Sequence, residues 1–227
     1  NAERLKAIRF KNIYNNKSVE ILELIDYFFK GFEFIKTNKN FHKYLEIMLA
    51  HVNYMNGVTA KGGAFGFQLT SLSKFYDMKS KDNKTTLLQY IVEYIMEEVD
   101  RNILNFMPFL QLFEKMQITL VQESFNSLKD KFSSVEALNK MLQTNKDLDE
   151  DDKTKEFLDG FYSHASKTIK FVEEKIAAID VQFNDISKFL FLKKLDIEKF
   201  VGIMREYYKK TCEALKLYKE KKQKEEK

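Results

Sequence analysis

The residues that break helices are concentrated in one place along this chain. The sequence contains a single proline and seven glycines, and four of those glycines stand at 57, 62, 63 and 66. Glycine admits positive φ and close backbone approach, at an entropic cost inside regular structure. Four of them within ten residues therefore predict a shaped surface loop rather than a plain connector. Elsewhere little stops a helix, and apolar residues recur three and four positions apart. The expectation is all-α: an elongated helical bundle with long coiled-coil-like helices and no strand alternation. The 32% charged content and the absence of tryptophan fit wide solvated helix faces. At 227 residues the chain is long enough to bury a real core, in one elongated domain or two lobes.

Read in order, residues 3–14 have near-helical spacing and Asn15-Asn16 interrupt it. A second helix is expected from Ser18 as N-cap, with Ile21, Leu22, Leu24, Ile25, Phe28, Phe29 and Phe32 on a broad apolar face and Gly31 inside it. A helix over 38–56 carries Phe41, Tyr44, Leu45, Met48, Leu49, Val52 and Met55, and Asn56-Gly57 end it. A short helix through Leu69, Leu72, Phe75 and Tyr76 follows the glycine-rich loop. Residues 77–83 form a polar loop, and another helix starts at Thr85. Pro108 interrupts the chain. From Phe109 to Thr144 the pattern runs without punctuation, roughly 50 Å of helix at about 1.5 Å per residue. The acidic run at 147–152 reads as a turn, and a second long helix over 154–192 pairs with the first. Asp196 caps a last helix through Leu215, which frays into a lysine–glutamate tail.

Catalysis has little to work with. His42, His51 and His164 are scattered, no Cys/His cluster has metal-ligand spacing, and Cys212 has no base beside it. A lone cysteine makes no internal disulfide, which points to a reducing compartment. The glycine run lacks the Gly-Lys-Ser/Thr close of a phosphate loop and the strand that precedes one. The acidic run lacks the glycine and final glutamate of a helix–loop–helix calcium site. No catalytic residue, metal or cofactor is expected. The net charge of +4 is too mild for nucleic-acid binding. No stretch approaches the roughly 20 apolar residues of a membrane span, and no signal peptide opens the chain. The first residues fall in mid-helix pattern, so the chain is expected to be a fragment or a processed product. Lysines at 61, 74, 79, 81 and 84 outnumber Asp77 and Asp82 locally, and the last residues from Lys216 are lysine-rich.

Several motifs occur in order within this region: Asn53-Tyr54-Met55-Asn56-Gly57, then Gly62-Gly63-Ala64-Phe65-Gly66-Phe67-Gln68-Leu69, Leu72, Asp77-Met78-Lys79-Ser80 and Lys84-Thr85-Thr86-Leu87-Leu88-Gln89-Tyr90. Their identity and spacing resemble the signature of the formin homology 2 domain, the actin-assembly module of formins. Arg4-Leu5-Lys6-Ala7 and Phe10-Lys11 resemble the helix before it. The resemblance is strong over 41–90 and weaker after 110. It implies an all-helical, non-enzymatic domain with a lasso, linker, knob, coiled coil and post. In such domains two copies join head to tail, each lasso around the other's post, and the ring holds the barbed end of an actin filament while subunits add. No cofactor takes part, profilin-bound actin is delivered by segments upstream, and the location is cytoplasmic, on the actin cytoskeleton.

On this resemblance residues 1–36 are the end of the knob and the start of the coiled coil. Residues 37–108 are the post, 109–195 a long helical pair, and 196–227 the C-terminal helix and basic tail. Lasso, linker and most of the knob would lie outside the chain, so the chain alone is not expected to close the ring. Asn53, Tyr54, Met55, Asn56, Gly57, Gly62, Gly63, Phe65, Gly66, Phe67 and Leu69 match the surface that receives the lasso. Lys79 matches an actin-contacting lysine, with Lys74 and Lys84 as helpers. Three departures stand out. Val52 replaces the usual glycine before Asn53, Gln68 stands where lysine is common, and Phe189-Leu190-Phe191-Leu192 replaces a glycine-containing motif. The alternative expectation is a helical scaffold or coiled-coil adaptor without actin-assembly activity.

Overall fold

The computed structural model describes residues 2–60, 62–144, 153–192 and 195–226, and the described residues are helical almost throughout. The helices are α1 (Ala2–Thr37), α2 (Lys39–Asn56), α3 (Leu72–Asp77), α4 (Leu87–Glu98), α5 (Met107–Leu110), α6 (Leu112–Lys115), α7 (Ile118–Thr144), α8 (Lys153–Phe189) and α9 (Ile197–Glu225). Two 3₁₀ turns, Leu69–Ser71 and Arg101–Phe106, precede α3 and α5. Among the described residues the only extended pairing is a single antiparallel bridge, Lys79 to Thr86. No described helix is long and apolar enough to cross a membrane. The acidic run at 147–152 lies outside the described residues.

Contacts divide the chain into two compact units, Asn1–Tyr27 with Gln117–Val181, and Phe28–Met116 with Gln182–Lys227. In the first, α7 and α8 pair as the periodicity predicts. Phe132 stacks on Tyr162 at 5.5 Å, and Lys129 bridges to Glu173 at 3.0 Å. The opening part of α1 joins them. Phe10, Tyr14 and Phe161 meet edge to face, and the Tyr14 hydroxyl donates to the Ala165 carbonyl at 3.0 Å. The second unit has an aromatic core in which Phe32, Phe183 and Phe200 converge, as do Phe34, Phe41, Tyr44 and Phe106. Edge-to-face and tilted pairs of this kind add to the burial of large apolar surfaces.

Three expectations about helix ends need correction. Asn15 and Asn16 do not interrupt α1, and Ser18 is a buried mid-helix residue rather than an N-cap. Both asparagines are exposed, while Phe10, Tyr14, Ile21 and Ile25 carry one buried stripe past them. Asparagine costs a helix only a few tenths of a kcal/mol, which burial along that stripe outweighs. The pattern after Phe109 is broken where the sequence shows no punctuation. α6 ends at Lys115, Met116 is extended at φ −77°, ψ 108°, and α7 starts afresh. Its 27 residues span roughly 40 Å.

Tertiary contacts fix that break. Met116 is buried against Gly31, where an added Cβ would come 2.7 Å from the Met116 Cε. The Arg205 guanidinium donates to the carbonyls of Phe113 and Met116 at 3.2 and 2.9 Å, satisfying the end of α6 from a distant helix. Charged hydrogen bonds of this kind are worth about 1.5–3 kcal/mol. Arg205→Ala should therefore lower the urea-unfolding free energy by about 2 kcal/mol, with Arg205→Lys recovering only part of it, since one ammonium cannot span both carbonyls. An unchanged midpoint would show that the break holds without Arg205. Pro108 sits in the first turn of α5, where its missing amide hydrogen has no helical partner to lose. Asp196 caps α9 as expected, accepting from the Lys199 amide at 2.8 Å, but the helix runs on to Glu225 instead of fraying after Leu215.

Candidate protein-binding surface

The glycine-rich loop is held by side chains as well as by its own backbone. α2 stops at Gly57, whose φ of 53° with ψ of −133° is open only to glycine. Its amide donates back to the carbonyls of Asn53 and Tyr54. Gly62 then folds onto the same residue, so that a Cβ built there would lie 1.8 Å from the Gly57 oxygen. Asn53 fastens the far side. Its Nδ2 donates to the Ala64 carbonyl and its Oδ1 accepts from the Ala64 amide, both at 2.8 Å. Both ends of the Asn53 amide are thus engaged within the loop.

This bracing fixes an apolar display. Tyr54 is 88% exposed, Val58 108% and Phe65 104%. Phe67 turns the other way and meets the buried Phe75 ring at 5.5 Å, so Phe65 is the free aromatic of the pair. Leu69 is half-buried in the 3₁₀ turn before α3, and Asn56 is half-buried at the end of α2. Gly63 lies at φ 65°. Gly66 has no positive φ, and a Cβ added there would meet no atom within 4 Å, so nothing inside the chain requires glycine at that position. Val52 is half-buried in the last turn of α2. Phe191, in the turn just after α8, lies at φ 51° and is 85% exposed, and a small notch joins it to Gln68, Leu69 and Thr70.

Lys74, Lys79 and Lys84 are all exposed, and none makes an ion pair among the described residues. Lys74 lies on α3, while Lys79 and Lys84 lie on the turn between α3 and α4. That turn is narrow. The Leu87 amide donates to Met78 O and the Ser80 amide to Thr85 O, each at 2.9 Å. The Ser80 hydroxyl donates to Asp82, whose carboxylate also accepts from the Lys84 amide, and these hydrogen bonds hold the Asp82 carboxyl below its ordinary pKa. Thr86 then caps α4 in a reciprocal pair with Gln89. Lys79 is therefore presented by a braced turn.

Beside it runs a groove of about 600 Å³ with Met55, Met78, Leu87, Tyr90 and Tyr94 among its apolar lining. Lys79, Asp82, Glu93, Glu97 and Glu98 supply its charges. His51 packs its ring against Tyr90 and Tyr94 and donates from Nδ1 to the Ile47 carbonyl at 2.8 Å, so it serves helix packing. Among the described residues no group of three His, Cys, Asp or Glu could hold a metal ion. The arrangement sets apolar and charged contacts side by side.

The sequence reading placed Tyr90 in a motif but gave no role to it, to Val58 or to the acidic side of α4. The last of these is paired with lysines far along the chain, Lys221 on Glu93 and Lys222 on Glu97. The only sequence signal for it was two glutamates four apart and two adjacent lysines.

Comparison with known proteins agrees with the motif reading. The chain is 27% identical over 216 residues to Formin-A of Dictyostelium discoideum, covering 94% of this chain and 18% of that protein. It is 30% identical over 189 residues to Formin-F of the same organism, covering 82% and 15%. It is 38% identical over 141 residues to Protein diaphanous homolog 3 of Homo sapiens, covering 62% and 12%. The chain thus spans less than a fifth of the length of these relatives. The family model of the Formin Homology 2 Domain matches residues 1–211, and with it the all-α architecture and the ordered motifs from Asn53 to Tyr90 have one account. The chain belongs to the formin homology 2 domain family.

Proposed function

We propose that this chain supplies the post and helical arm of an actin-assembling domain, and that it acts without covalent chemistry through two adjoining surfaces. The glycine-rich loop receives the lasso of a second copy, and the turn bearing Lys79, with Lys74 and Lys84 in support, meets the acidic surface of actin. In the complete domain two copies close a head-to-tail ring at the filament's barbed end, nucleating filaments and staying attached as subunits add. Profilin-bound actin is brought by segments outside this chain. Its setting is the cytoplasmic actin cytoskeleton.

The observation that carries this reading is the braced display of Tyr54, Val58 and Phe65 by a loop clamped through Asn53 and Ala64. Fully exposed aromatic side chains on a rigid backbone are what a docking surface needs, because aromatic anchors in pre-organised sites dominate interface energies. Gly66, free of any internal requirement, leaves the backbone open to a partner's side chain. An exposed lysine without an ion-pair partner loses little on meeting an acidic surface.

The test is Lys79→Asp in the full-length protein, read by pyrene-actin assembly. Barbed-end assembly should fall at least about tenfold, equivalent to about 1.4 kcal/mol, with circular dichroism and the oligomeric state unchanged. Wild-type assembly by that variant would remove Lys79 from the actin contact.

A further inference from the structure

The lysine surface has an acidic neighbour. Lys79 shares its groove with Asp82, Glu93, Glu97 and Glu98, so one cation stands among four carboxylates. Taken alone, that lining would repel an acidic partner.

The C-terminal helix alters the balance. Lys221 pairs with Glu93 and Lys222 with Glu97, and Lys222 also reaches Glu225 at 3.1 Å. Glu93 and Glu97 lie one turn apart on α4, and each side chain is only 30% exposed. The last fully buried residue of α9 is Ala214, so these pairs lie beyond the part of the helix anchored by core side chains. Tyr218 supports the arrangement from one turn earlier, with the Lys222 ammonium 5.9 Å from its ring centre. The glutamates raise the pKa of both ammonium groups, chiefly through the hydrogen bonds they accept, which keeps both lysines charged.

We propose that Lys221 and Lys222 neutralise the acidic wall of the Lys79 groove and thereby make it receptive to an acidic protein surface. The idea rests on the reading that Lys79 contacts actin, and it extends that contact to residues distant in sequence. Charges within about 8–10 Å interact appreciably at physiological ionic strength, so two uncovered glutamates in the groove would oppose the approach of an acidic surface. Such opposition acts mainly on the association rate and fades as salt rises.

The experiment is a charge cycle in the full-length protein, with barbed-end association followed by pyrene-actin assembly at low and at physiological salt. Lys221→Gln with Lys222→Gln should slow association about three- to tenfold at low salt, and less at physiological salt. Glu93→Gln with Glu97→Gln should match or exceed wild type. Adding the two lysine changes to that glutamine background should cost less than in the parent, because without the glutamates the ammonium groups are no longer held against α4. An equal loss in both backgrounds would mean that the lysines act on the partner independently of the glutamates and would overturn neutralisation. No loss in the glutamate background would overturn it as well. Lys79→Asp, measured alongside, separates the two ideas. If it has no effect, the underlying reading of the site fails; if it acts while the cycle shows no coupling, neutralisation alone fails. Helical content by circular dichroism confirms that each variant is folded.

Discussion

Gly62→Ala should dismantle the glycine-rich surface while leaving the helices around it intact. A methyl group at this position would sit 1.8 Å from the Gly57 oxygen, and that obstacle is backbone rather than the end of a flexible side chain. The loop must therefore open. Opening breaks the Gly62 amide's bond to Thr59 O and pulls Ala64 away from Asn53. The cost is bounded by the free energy of unfolding the loop alone, because local segments open independently of the core. A figure of about 2–4 kcal/mol follows for backbone strain with the loss of part-buried hydrogen bonds, and should lower the melting temperature by several degrees in a protein of this size. The functional loss should be larger than the loss of stability. On the proposed reading Tyr54, Val58 and Phe65 receive a second copy only while the loop is closed, so self-association in the full-length protein should weaken by about a hundredfold or more. Analytical ultracentrifugation reads that loss, and circular dichroism shows the helices retained. Dimerisation at wild-type strength would show that the loop does not carry the partner. Gly66→Ala is the contrasting case: with no atom within 4 Å it should leave stability unchanged and affect only the docked state.

These two glycines show what was legible in the sequence and what was not. Their clustering announced a shaped loop, and the motif order announced the family. Which glycine is required by the fold and which is free for a partner depends on distances across the loop, and composition is silent on those. Asn53 is a similar case. The motif marked it as important, but only the paired 2.8 Å bonds to Ala64 show that its amide is used inside the loop. Helix existence was readable because burial repeats every three or four residues. Helix ends were less so. Asn15-Asn16 looked like a stop and is not one, because the buried stripe of α1 continues beneath two exposed side chains. Met116 looked unremarkable and is a stop, because Gly31 admits its side chain and Arg205 donates to the freed carbonyls. Both errors have one cause: a residue's local preference of tenths of a kcal/mol is overruled by tertiary contacts worth several times more. The pairing of Glu93 and Glu97 with Lys221 and Lys222 was unreadable for the same reason, since nothing local links positions 128 and 125 residues apart.

Raising the pH above 10 should destabilise the unit that carries α2 and α9, through two buried tyrosines. The Tyr44 and Tyr207 hydroxyls meet at 2.7 Å, and the Tyr207 hydroxyl also reaches the Met48 sulfur at 3.1 Å, so the two rings share one buried hydrogen-bond network. Burial lifts Tyr44 to about 12 and Tyr207 well above its ordinary value. Because both folded-state values lie above the unfolded value near 10, the unfolded chain loses its protons first. The stabilisation is therefore complete below pH 10 and is lost as pH climbs toward and through the folded-state values. The slope approaches about 1.4 kcal/mol per pH unit for each tyrosine. Tyr76 and Tyr208 are raised as well, chiefly by desolvation, but both are partly open to solvent and contribute less. Tyr207→Phe removes the hydroxyl that both Tyr44 and the Met48 sulfur meet and should cost about 1–3 kcal/mol at neutral pH. Tyr44→Phe should cost less, since Tyr207 keeps its bond to Met48. The double replacement removes donor and acceptor together and should be milder than Tyr207→Phe alone. It should also flatten the alkaline slope. Urea unfolding of the four proteins by circular dichroism between pH 8 and about pH 11.5, the range that brackets the unfolded tyrosine value, checks both effects. A double variant as alkali-sensitive as the parent would assign the loss of stability to groups other than this pair.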